Sequence, residues 1–410
     1  MSNSINNKMK EVFIKRKNTS QILINPKYLS ESYVPSKLLF REREVEEIAR
    51  HAADFLFSSV VKNLVIHGPP GVGKTVAVRM LEKTYNETAI EHNIDSRAIY
   101  VSAKDLTYRR ILYELACKLD IEVNLGMAIA DIYEMIVKHM NETDSRYLLI
   151  VDEIDKLRKR PGEEPVDSLV YSLSRINERA ERIAVTIYLV TNNARVVERL
   201  SAPSFSSLAP IFLYFRDYNV NELYEILKDR VEKAFAPGTV DDAALRLLAA
   251  LIKRESKDLR WGFLVLREAP AEAENAKITE GTIWRAIEVV ERNVLKQVIS
   301  GLDVNGLLLL YALAVLTEKG YHHIDSSTLY VKYKEICDAI DWQPKTMKHV
   351  INYIGAKLES EGLVTRRPVS KGRYGRTQIF HLEENTITVK NIVREVLAER
   401  FNLRPPLSSL

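Results

Sequence analysis

The sequence is poor in cysteine and has no long apolar run. Its only two cysteines among 410 residues, Cys117 and Cys337, lie far apart. They exclude a disulfide framework and a cysteine-based zinc cluster, and they favour a reducing, cytoplasmic setting. Residues 1–21 are polar and basic with no apolar segment typical of a secretory signal. The longest apolar run, 307–316, is too short to cross a bilayer, so we expect no membrane partner.

The chain also lacks a large excess of either positive or negative charge. Lysine and arginine number 59 against 55 aspartate and glutamate, giving a net charge of +4. That balance excludes a histone-like polycation but allows a local basic patch. Apolar residues make up 46% of the chain, enough for well-packed cores. At about 150 residues per domain, the length predicts two or three domains.

The first half alternates continuous apolar runs with helical patterns. Such runs are typical of parallel strands buried on both faces, and their alternation with helices predicts a doubly wound sheet. In a sheet of that kind the functional site lies at the carboxyl ends of the strands. The predicted strands are 63–67, 98–101, 147–151, 184–190 and 211–215.

The second half is predominantly helical. Helical spacing continues from Asn221 to about Val298, with breaks at Pro237 and near Ser256. Three further helices and a basic hairpin follow, which is the pattern of a winged helix. The predicted helices are 305–319, 326–340 and 344–362, and the hairpin strands are 363–367 and 377–382.

The first predicted strand runs into a phosphate-binding loop. The sequence there matches the pattern G-x-x-x-x-G-K-[ST], in which backbone N–H groups and a helix N-terminus face the phosphates. We expect Lys74 to bind the β- and γ-phosphates and the Thr75 hydroxyl to bind Mg²⁺. The loop consists of Gly68, Pro69, Pro70, Gly71, Val72, Gly73, Lys74 and Thr75.

Two acidic residues end the third apolar run. Beside a phosphate loop, Asp152 is a candidate Mg²⁺ ligand and Glu153 a candidate base that activates water. Asp155 is assigned a structural or capping role. The sequence therefore predicts a nucleotide site that uses ATP or ADP with Mg²⁺.

Together these residues resemble the AAA+ ATPases. The phosphate loop is similar to their Walker A motif and Asp152-Glu153 to Walker B. Thr191-Asn192 resembles sensor 1, which implies that Asn192 helps place the attacking water. The segment 257–260 resembles sensor 2, although its usual glycine and alanine are replaced, and it implies that Arg260 reaches the γ-phosphate from the lid.

The narrower resemblance is to the archaeal replication initiators, related to the origin recognition complex large subunit and the helicase loader. Residues 33–44 resemble that family's adenine-side opening segment. Residues 218–230 resemble the start of its lid, which implies that Tyr218 and Arg230 contribute to nucleotide binding. Ordinary packing between domains is the alternative for these two residues.

Two elements are candidates for DNA contact. The family carries a helical insertion where Tyr108, Arg109 and Arg110 stand, which implies DNA contact, and an exposed helix with solvated arginines is the alternative. The winged helix offers a basic hairpin with no carboxylate, for which the alternative is a protein partner. Its candidate residues are Lys345, Thr346, Lys348, Lys371, Gly372, Arg373, Tyr374 and Arg376.

One departure from the family concerns the arginine finger. The segment 201–208, where the family usually has it, contains no arginine, and the nearest are Arg195 and Arg199. Because a finger arginine stabilises the transition state in a neighbouring subunit, we expect slow ATP hydrolysis.

These observations predict four parts: a flexible tail (1–21), an AAA+ α/β parallel-sheet ATPase base (22–217), a helical lid (218–300) and a winged-helix DNA-binding domain (301–410). The resemblance implies a cytoplasmic, nucleoid-associated initiator that binds double-stranded origin DNA, with paralogous initiators and the replicative helicase as partners. The alternatives are an ATP-dependent signalling or transcription regulator with a winged helix, and a helicase loader that binds little DNA.

Overall fold

The structure is a computed structural model that describes residues 21–30, 33–124, 126–143, 145–159, 162–179, 184–273, 277–370 and 376–403. Most of the predicted tail, and the hairpin residues Lys371, Gly372, Arg373 and Tyr374, lie outside the described residues. The chain divides into two compact units, Met1–Ile283 and Trp284–Leu410. The division falls within a helix, and the four predicted domain boundaries stay predictions.

The first unit is built on a parallel sheet whose described strands lie in the order β2-β3-β4-β1-β5. The predicted doubly wound sheet is therefore confirmed. Strands β1, β4 and β3 are direct neighbours, so their carboxyl ends meet at one edge. The strands are β1 (Leu64–His67), β2 (Ser96–Ser102), β3 (Arg146–Asp152), β4 (Val185–Thr191) and β5 (Ile211–Tyr214).

Burial explains why these runs form strands. Every residue of β4 is buried, because helices cover both faces of the sheet. One core joins the strand side chains to the helices that follow β2 and β3, through residues such as Val101, Ile136 and Leu189. The edge strand β5 is the exception, since only Leu213 of its four residues is buried.

The helices of the base connect and flank these strands. They are α1 (Glu42–Ser58), α2 (Lys74–Glu91), α3 (Tyr108–Lys118), α4 (Ile129–Thr143), α5 (Pro165–Ser174), α6 (Ile176–Arg179), α7 (Arg195–Glu198) and α8 (Ala202–Leu208). Short 3₁₀ turns occupy Pro26–Leu29 and Ile154–Lys156.

A helical lid follows the sheet. Its first helix begins with a capping box, in which Asn219 accepts from the Glu222 backbone and Glu222 accepts from the Asn219 backbone. The segment at Ile22 is tied to this lid, because its carbonyl accepts from the Ala236 N–H at 2.9 Å. The lid helices are α9 (Val220–Ala234), α10 (Asp242–Arg254) and α11 (Leu259–Glu272), and α12 (Glu280–Ser300) runs on into the second unit.

The second unit has the predicted winged-helix architecture. Helix α13 is buried almost all round and forms the centre of the core, packed by the other helices and by Phe380. Its elements are α13 (Val304–Glu318), β6 (Ile324–Asp325), α14 (Ser326–Ala339), α15 (Met347–His349), a π-helix (Val350–Ile354), α16 (Gly355–Ser360), β7 (Val364–Ser370), β8 (Arg376–Leu382) and α17 (Thr386–Phe401).

The third predicted helix of the winged helix starts later than the sequence predicts. The prediction placed its start at Pro344, but the helix begins at Met347. Thr346 is the N-cap, with extended backbone and a hydroxyl that accepts from the His349 N–H at 3.4 Å. A serine or threonine in this role ends the preceding extended segment and satisfies a free helical donor. No described helix is long and apolar enough to cross a membrane.

Candidate nucleotide site and nucleic-acid interface

The phosphate loop fits tightly between the end of β1 and its surroundings. A Cβ on Gly68 would lie 2.2 Å from the Phe215 carbonyl oxygen, so only glycine fits there. Gly71 has a φ of 75°, and a Cβ on it would lie 2.6 Å from the Asp258 Cβ. Asp258 is the N-cap of lid helix α11, whose first turn carries Arg260. The loop is therefore in close contact with the lid.

Lys74 is buried at the centre of the site, with 6% of its surface exposed. Its ammonium donates to the Gly68 carbonyl at 2.7 Å, to the Pro69 carbonyl at 2.6 Å and to Asn192 Oδ1 at 2.9 Å. Burial lowers the pKa of Lys74 to about 8, against the opposing attraction of Asp152. The Lys74 ammonium is already removed from water in the folded protein. Binding of an anion beside it is therefore strongly favoured, because the anion compensates the buried positive charge.

Asp152 and Glu153 stand where β3 ends. Asp152 is buried and accepts from the Tyr100 hydroxyl at 2.9 Å and from the Glu153 N–H at 2.8 Å. Glu153 has a left-handed backbone, with φ 56°, which is uncommon outside glycine and often accompanies functional strain. Its carboxylate accepts from Ser102 at 3.4 Å. The Asp152 and Glu153 carboxylates are thus each held by a different hydroxyl, those of Tyr100 and Ser102.

Asp155 orients the residues predicted as sensor 1. Its carboxylate accepts from the Thr191 hydroxyl at 3.0 Å and from the Asn192 N–H at 3.1 Å. It also accepts from the Asn192 side-chain amide at 3.4 Å, which leaves Asn192 Oδ1 facing Lys74. Asp155 therefore has a positioning role, in agreement with its structural assignment from the sequence.

The donors predicted for Mg²⁺ suit that ion. Thr75 and Asp152 line the same cavity and offer a hydroxyl and a carboxylate, both hard oxygen ligands. In phosphate sites Mg²⁺ commonly takes only one or two protein ligands and completes its shell with phosphate and water. Among the described residues there is no cluster of three or more His, Cys, Asp or Glu side chains that could hold a metal.

The lid closes the cavity from the other side. Arg260, Arg230 and Tyr218 all line it, and the Tyr218 hydroxyl lies close to the phosphate loop, 3.4 Å from where a Cβ on Gly73 would stand. Burial lowers the pKa of Arg230, whose guanidinium lies 4.4 Å from the Tyr33 ring centroid and 5.4 Å from that of Phe263. Burial also raises the pKa of Tyr218 to about 12. Most of the predicted nucleotide residues line this one cavity; Gly68, Pro69 and Val72 of the phosphate loop do not.

Arg41 supports the site without lining the cavity, and the sequence placed it in the family-like opening segment without assigning it a role of its own. It is fully buried, with 0% exposure. It donates to the carbonyls of Val72 at 3.0 Å and Arg216 at 2.5 Å, and its guanidinium lies 3.8 Å from the Tyr218 ring centroid. It thereby ties the phosphate loop to the connection between β5 and the lid. No local pattern marks it, because its partners come from distant parts of the chain.

The predicted insertion residues are partly engaged inside the unit. The Tyr108 hydroxyl lies 2.6 Å from that of Ser172, and Arg109 donates to the Met127 carbonyl. Arg110 pairs with Glu114 at 3.4 Å. All three residues are partly buried, although 42% of the Arg110 side chain is exposed, so the alternative of an exposed helix with solvated arginines stays open. DNA contact by these residues stays a prediction.

The predicted recognition residues Lys345, Thr346 and Lys348 are exposed. Two tyrosines of α14 hold the segment before the helix: Tyr330 donates to the Lys345 carbonyl at 3.0 Å, and Tyr333 accepts from the Lys345 N–H at 3.2 Å. Thr346 uses its hydroxyl as the helix cap. The remaining predicted wing residues lie outside the described part, as does the side chain of Arg376.

The segment 201–208, where the family usually has its arginine finger, consists of a short helix and its N-cap, Ser201. Residues Ala202–Leu208 make up α8, and Phe205 is exposed on it. Arg195 and Arg199 stand before it, at the start and just past the end of α7.

Comparison with known proteins covers both units. Residues 297–392 match the family profile "CDC6, C terminal winged helix domain", 61–200 match "AAA domain", and 224–288 match "Cdc6 AAA+ ATPase-type lid domain". The ORC1-type DNA replication protein of Thermococcus kodakarensis is 33% identical over 395 residues, which cover 94% of each chain. That of Pyrococcus furiosus is 32% identical over 396 residues, covering 94% of this chain and 93% of its own.

A solved structure gives the same result. The Aeropyrum pernix ORC1 protein in complex with DNA has a TM-score of 0.79 to this chain at 30% identity. The match covers 92% of this chain and 97% of that one. Similarity therefore extends over the sheet, the lid and the winged helix alike.

Proposed function

The chain belongs to the ORC1-type DNA replication proteins, the archaeal replication initiators of the AAA+ class, and we propose that it is an ATP-regulated initiator that binds double-stranded origin DNA. The resemblance drawn from its motifs is thereby confirmed. The observation that carries the proposal is the cavity in which the phosphate loop, the ends of β3 and β4, and the lid arginines meet.

The nucleotide part of the proposal follows from charge and position. Lys74 and Arg260 supply positive charge on the two sides of the cavity, and Asp152 with Thr75 supplies oxygen ligands for Mg²⁺. When bound, Mg²⁺ would neutralise charge on the phosphates. The cavity is lined by both base and lid, so a ligand held there by both sides would favour the closed arrangement. We infer that ATP or ADP is the ligand and that it controls the lid.

The catalytic part assigns Glu153 as the base and Asn192 as the residue that places water. Both line the cavity, on the ends of strands next to each other in the sheet. The absence of an arginine from 201–208 supports slow hydrolysis, because no cation there would reach a neighbour's γ-phosphate. ATP would then act mainly as a conformational ligand.

The DNA part rests on the second unit. A winged helix presents its third helix to the major groove and its hairpin to the adjacent backbone. Lys345 and Lys348 are exposed at the start of that helix. The solved ORC1 relative is in complex with DNA. We propose Tyr108, Arg109 and Arg110 as a second contact, and the residues 371–376 as the wing contact.

Further steps of initiation extend the proposal. We propose that the bound initiator helps to recruit the replicative helicase and acts with paralogous initiators in the nucleoid-associated cytoplasm. Outside the winged helix the numbers of positive and negative side chains nearly balance, which supports sequence-specific rather than non-specific DNA binding.

Calorimetry with ATP and ADP in Mg²⁺ tests the nucleotide proposal. Lys74→Ala removes the ammonium at the centre of the cavity. We expect nucleotide affinity to fall at least 100-fold, because losing a buried hydrogen bond from a charged group costs about 3 kcal/mol. The control is Lys83→Ala on the same helix, whose side chain is 76% exposed. Full affinity in Lys74→Ala, or none in the wild type, would overturn the proposal.

A further inference from the structure

The outer face of the third winged-helix helix carries hydrogen-bonding side chains beyond its first turn. Val350, Ile351 and Ile354 face the core. Asn352 and Tyr353 are exposed between them, and Tyr353 is 66% exposed, a large fraction for a tyrosine. Its ring stacks on His349, with centroids 5.4 Å apart and planes at 30°. These three side chains form one patch, which we call the outer patch.

The outer patch has hydrogen-bonding capacity to offer. Within the described residues, no hydrogen bond is recorded for the Asn352 amide or the Tyr353 hydroxyl. The amide of Asn352 has both a donor and an acceptor. A tyrosine stacked on a histidine is held in place, so it contributes shape as well as a hydroxyl.

Charge around the patch favours an anionic partner. Between residues 342 and 358 the chain has no carboxylate, and lysines stand on both sides of the patch at Lys348 and Lys357. Neither lysine has an ion pair among the described residues. The first carboxylate after this segment, that of Glu359, already forms an ion pair with Arg366 at 2.6 Å. Basic ends around a neutral polar centre suit a groove with phosphates on both sides.

The patch stands on a fixed support. Arg366 of β7 donates to the Ile351 carbonyl within the π-helix at 3.2 Å, and only 15% of its side chain is exposed. A Cβ on Gly355 would lie 3.1 Å from the Phe380 ring, so the helix packs closely on the hairpin. A single π turn inside an α-helix is frequent at functional sites. Arg366 is therefore a positioning residue rather than a phosphate contact.

We propose that Asn352 recognises an adenine in the major groove, with the stacked His349–Tyr353 pair against the neighbouring base and Lys348 and Lys357 on the flanking phosphates. An asparagine amide matches the N6 and N7 edge of adenine with two hydrogen bonds. The inference rests on the proposed DNA-binding function. It places base discrimination in the helical turn that follows Lys345 and Lys348.

The test uses the full chain and a pool of synthetic duplexes with a randomised centre. The duplex selected by the wild type is compared with a shuffled duplex of equal composition, by fluorescence anisotropy at several salt concentrations. Asn352→Ala is expected to lower the ratio of the two affinities about 10-fold or more and to leave shuffled-duplex binding unchanged. Lys348→Ala and Lys357→Ala are expected to weaken both duplexes alike and to reduce the salt slope by about 0.9. The control is Tyr321→Ala, which removes a 50% exposed tyrosine outside this helix.

A base analogue identifies the contact itself. Each adenine of the selected duplex is replaced in turn by 7-deazaadenine, which lacks N7. At one position this replacement is expected to weaken duplex binding by the wild type and to leave the affinity of Asn352→Ala unchanged. An unchanged affinity ratio in Asn352→Ala, or an equal analogue effect in both proteins, would overturn the inference. A wild type that selects no sequence would instead overturn the proposed function.

Discussion

Replacing Arg41 gives a direct measure of how the phosphate loop is held. The Arg41→Met variant keeps most of the side-chain length but loses the guanidinium, which donates to the carbonyls of Val72, Phe40 and Arg216. Each charged hydrogen bond is worth about 1.5–3 kcal/mol net, and the buried charge itself carries a desolvation penalty that offsets part of the sum.

The expected loss is about 3–5 kcal/mol in the free energy of unfolding of the first unit, because three carbonyls lose a charged donor while the desolvation penalty of the guanidinium is relieved. For a unit of this size, about 2–4 °C per kcal/mol converts this into a fall of about 10 °C in Tm. Nucleotide affinity is expected to fall as well, because Val72 belongs to the phosphate loop.

The assay is calorimetric melting of the full chain, combined with hydrogen exchange of peptides that cover residues 68–80. The matched control is Arg43→Met, two positions away on an exposed site, which is expected to change stability by less than about 0.5 kcal/mol. Arg41→Lys keeps the charge but not the planar fork of donors, so it is expected to recover only part of the stability. Equal melting and equal loop exchange in Arg41→Met and Arg43→Met would refute the reasoning.

Two further predictions concern the chemistry of the cavity. Glu153→Gln is expected to bind ATP normally while the rate of phosphate release falls at least 100-fold, since the Asp152 contacts persist but the proposed base is gone. Equal turnover in the variant and the wild type would remove Glu153 from that role. The pKa of Lys74 near 8 predicts that it is protonated below pH 8 and increasingly neutral above. A bound phosphate raises that pKa, so ATP binding at pH 8.5–9 is expected to take up a proton and to weaken as pH rises. The calorimetric enthalpy should then depend on the ionisation enthalpy of the buffer at pH 8.5 and not at pH 6.5, and buffer independence at both would contradict the assignment.

The residues of the phosphate loop and the strand ends could be predicted from sequence because their signals are local. A continuous apolar run fixes each strand, and parallel strands bring their last residues to one edge of the sheet. Asp152 and Asn192 are therefore placed near Lys74 by topology alone, before any side-chain contact is known. The lid residues Tyr218 and Arg230 needed the family resemblance in addition, because no local pattern assigns them.

Other features depend on contacts between distant segments. Tyr100 bonds Asp152 only because β2 and β3 pair in the register that sets Ser102 beside Asp152. The start of the recognition helix was wrong by three residues, because Tyr330 and Tyr333 hold the Lys345 backbone in an extended segment that Thr346 then caps. Neither the strand register nor such side-chain support can be read from local periodicity.

The contacts of Lys74 explain how nucleotide chemistry and lid position can be coupled in this chain. Its ammonium bonds Asn192, which is oriented by Asp155, while the loop before it lies against Asp258 at the start of the lid helix that carries Arg260. A γ-phosphate would compete with Asn192 for the same ammonium and would attract Arg260 from the opposite side. Binding would therefore change the strand end and the lid together. Such a coupling does not require rapid ATP hydrolysis. It is therefore compatible with a chain that has no arginine in the segment 201–208.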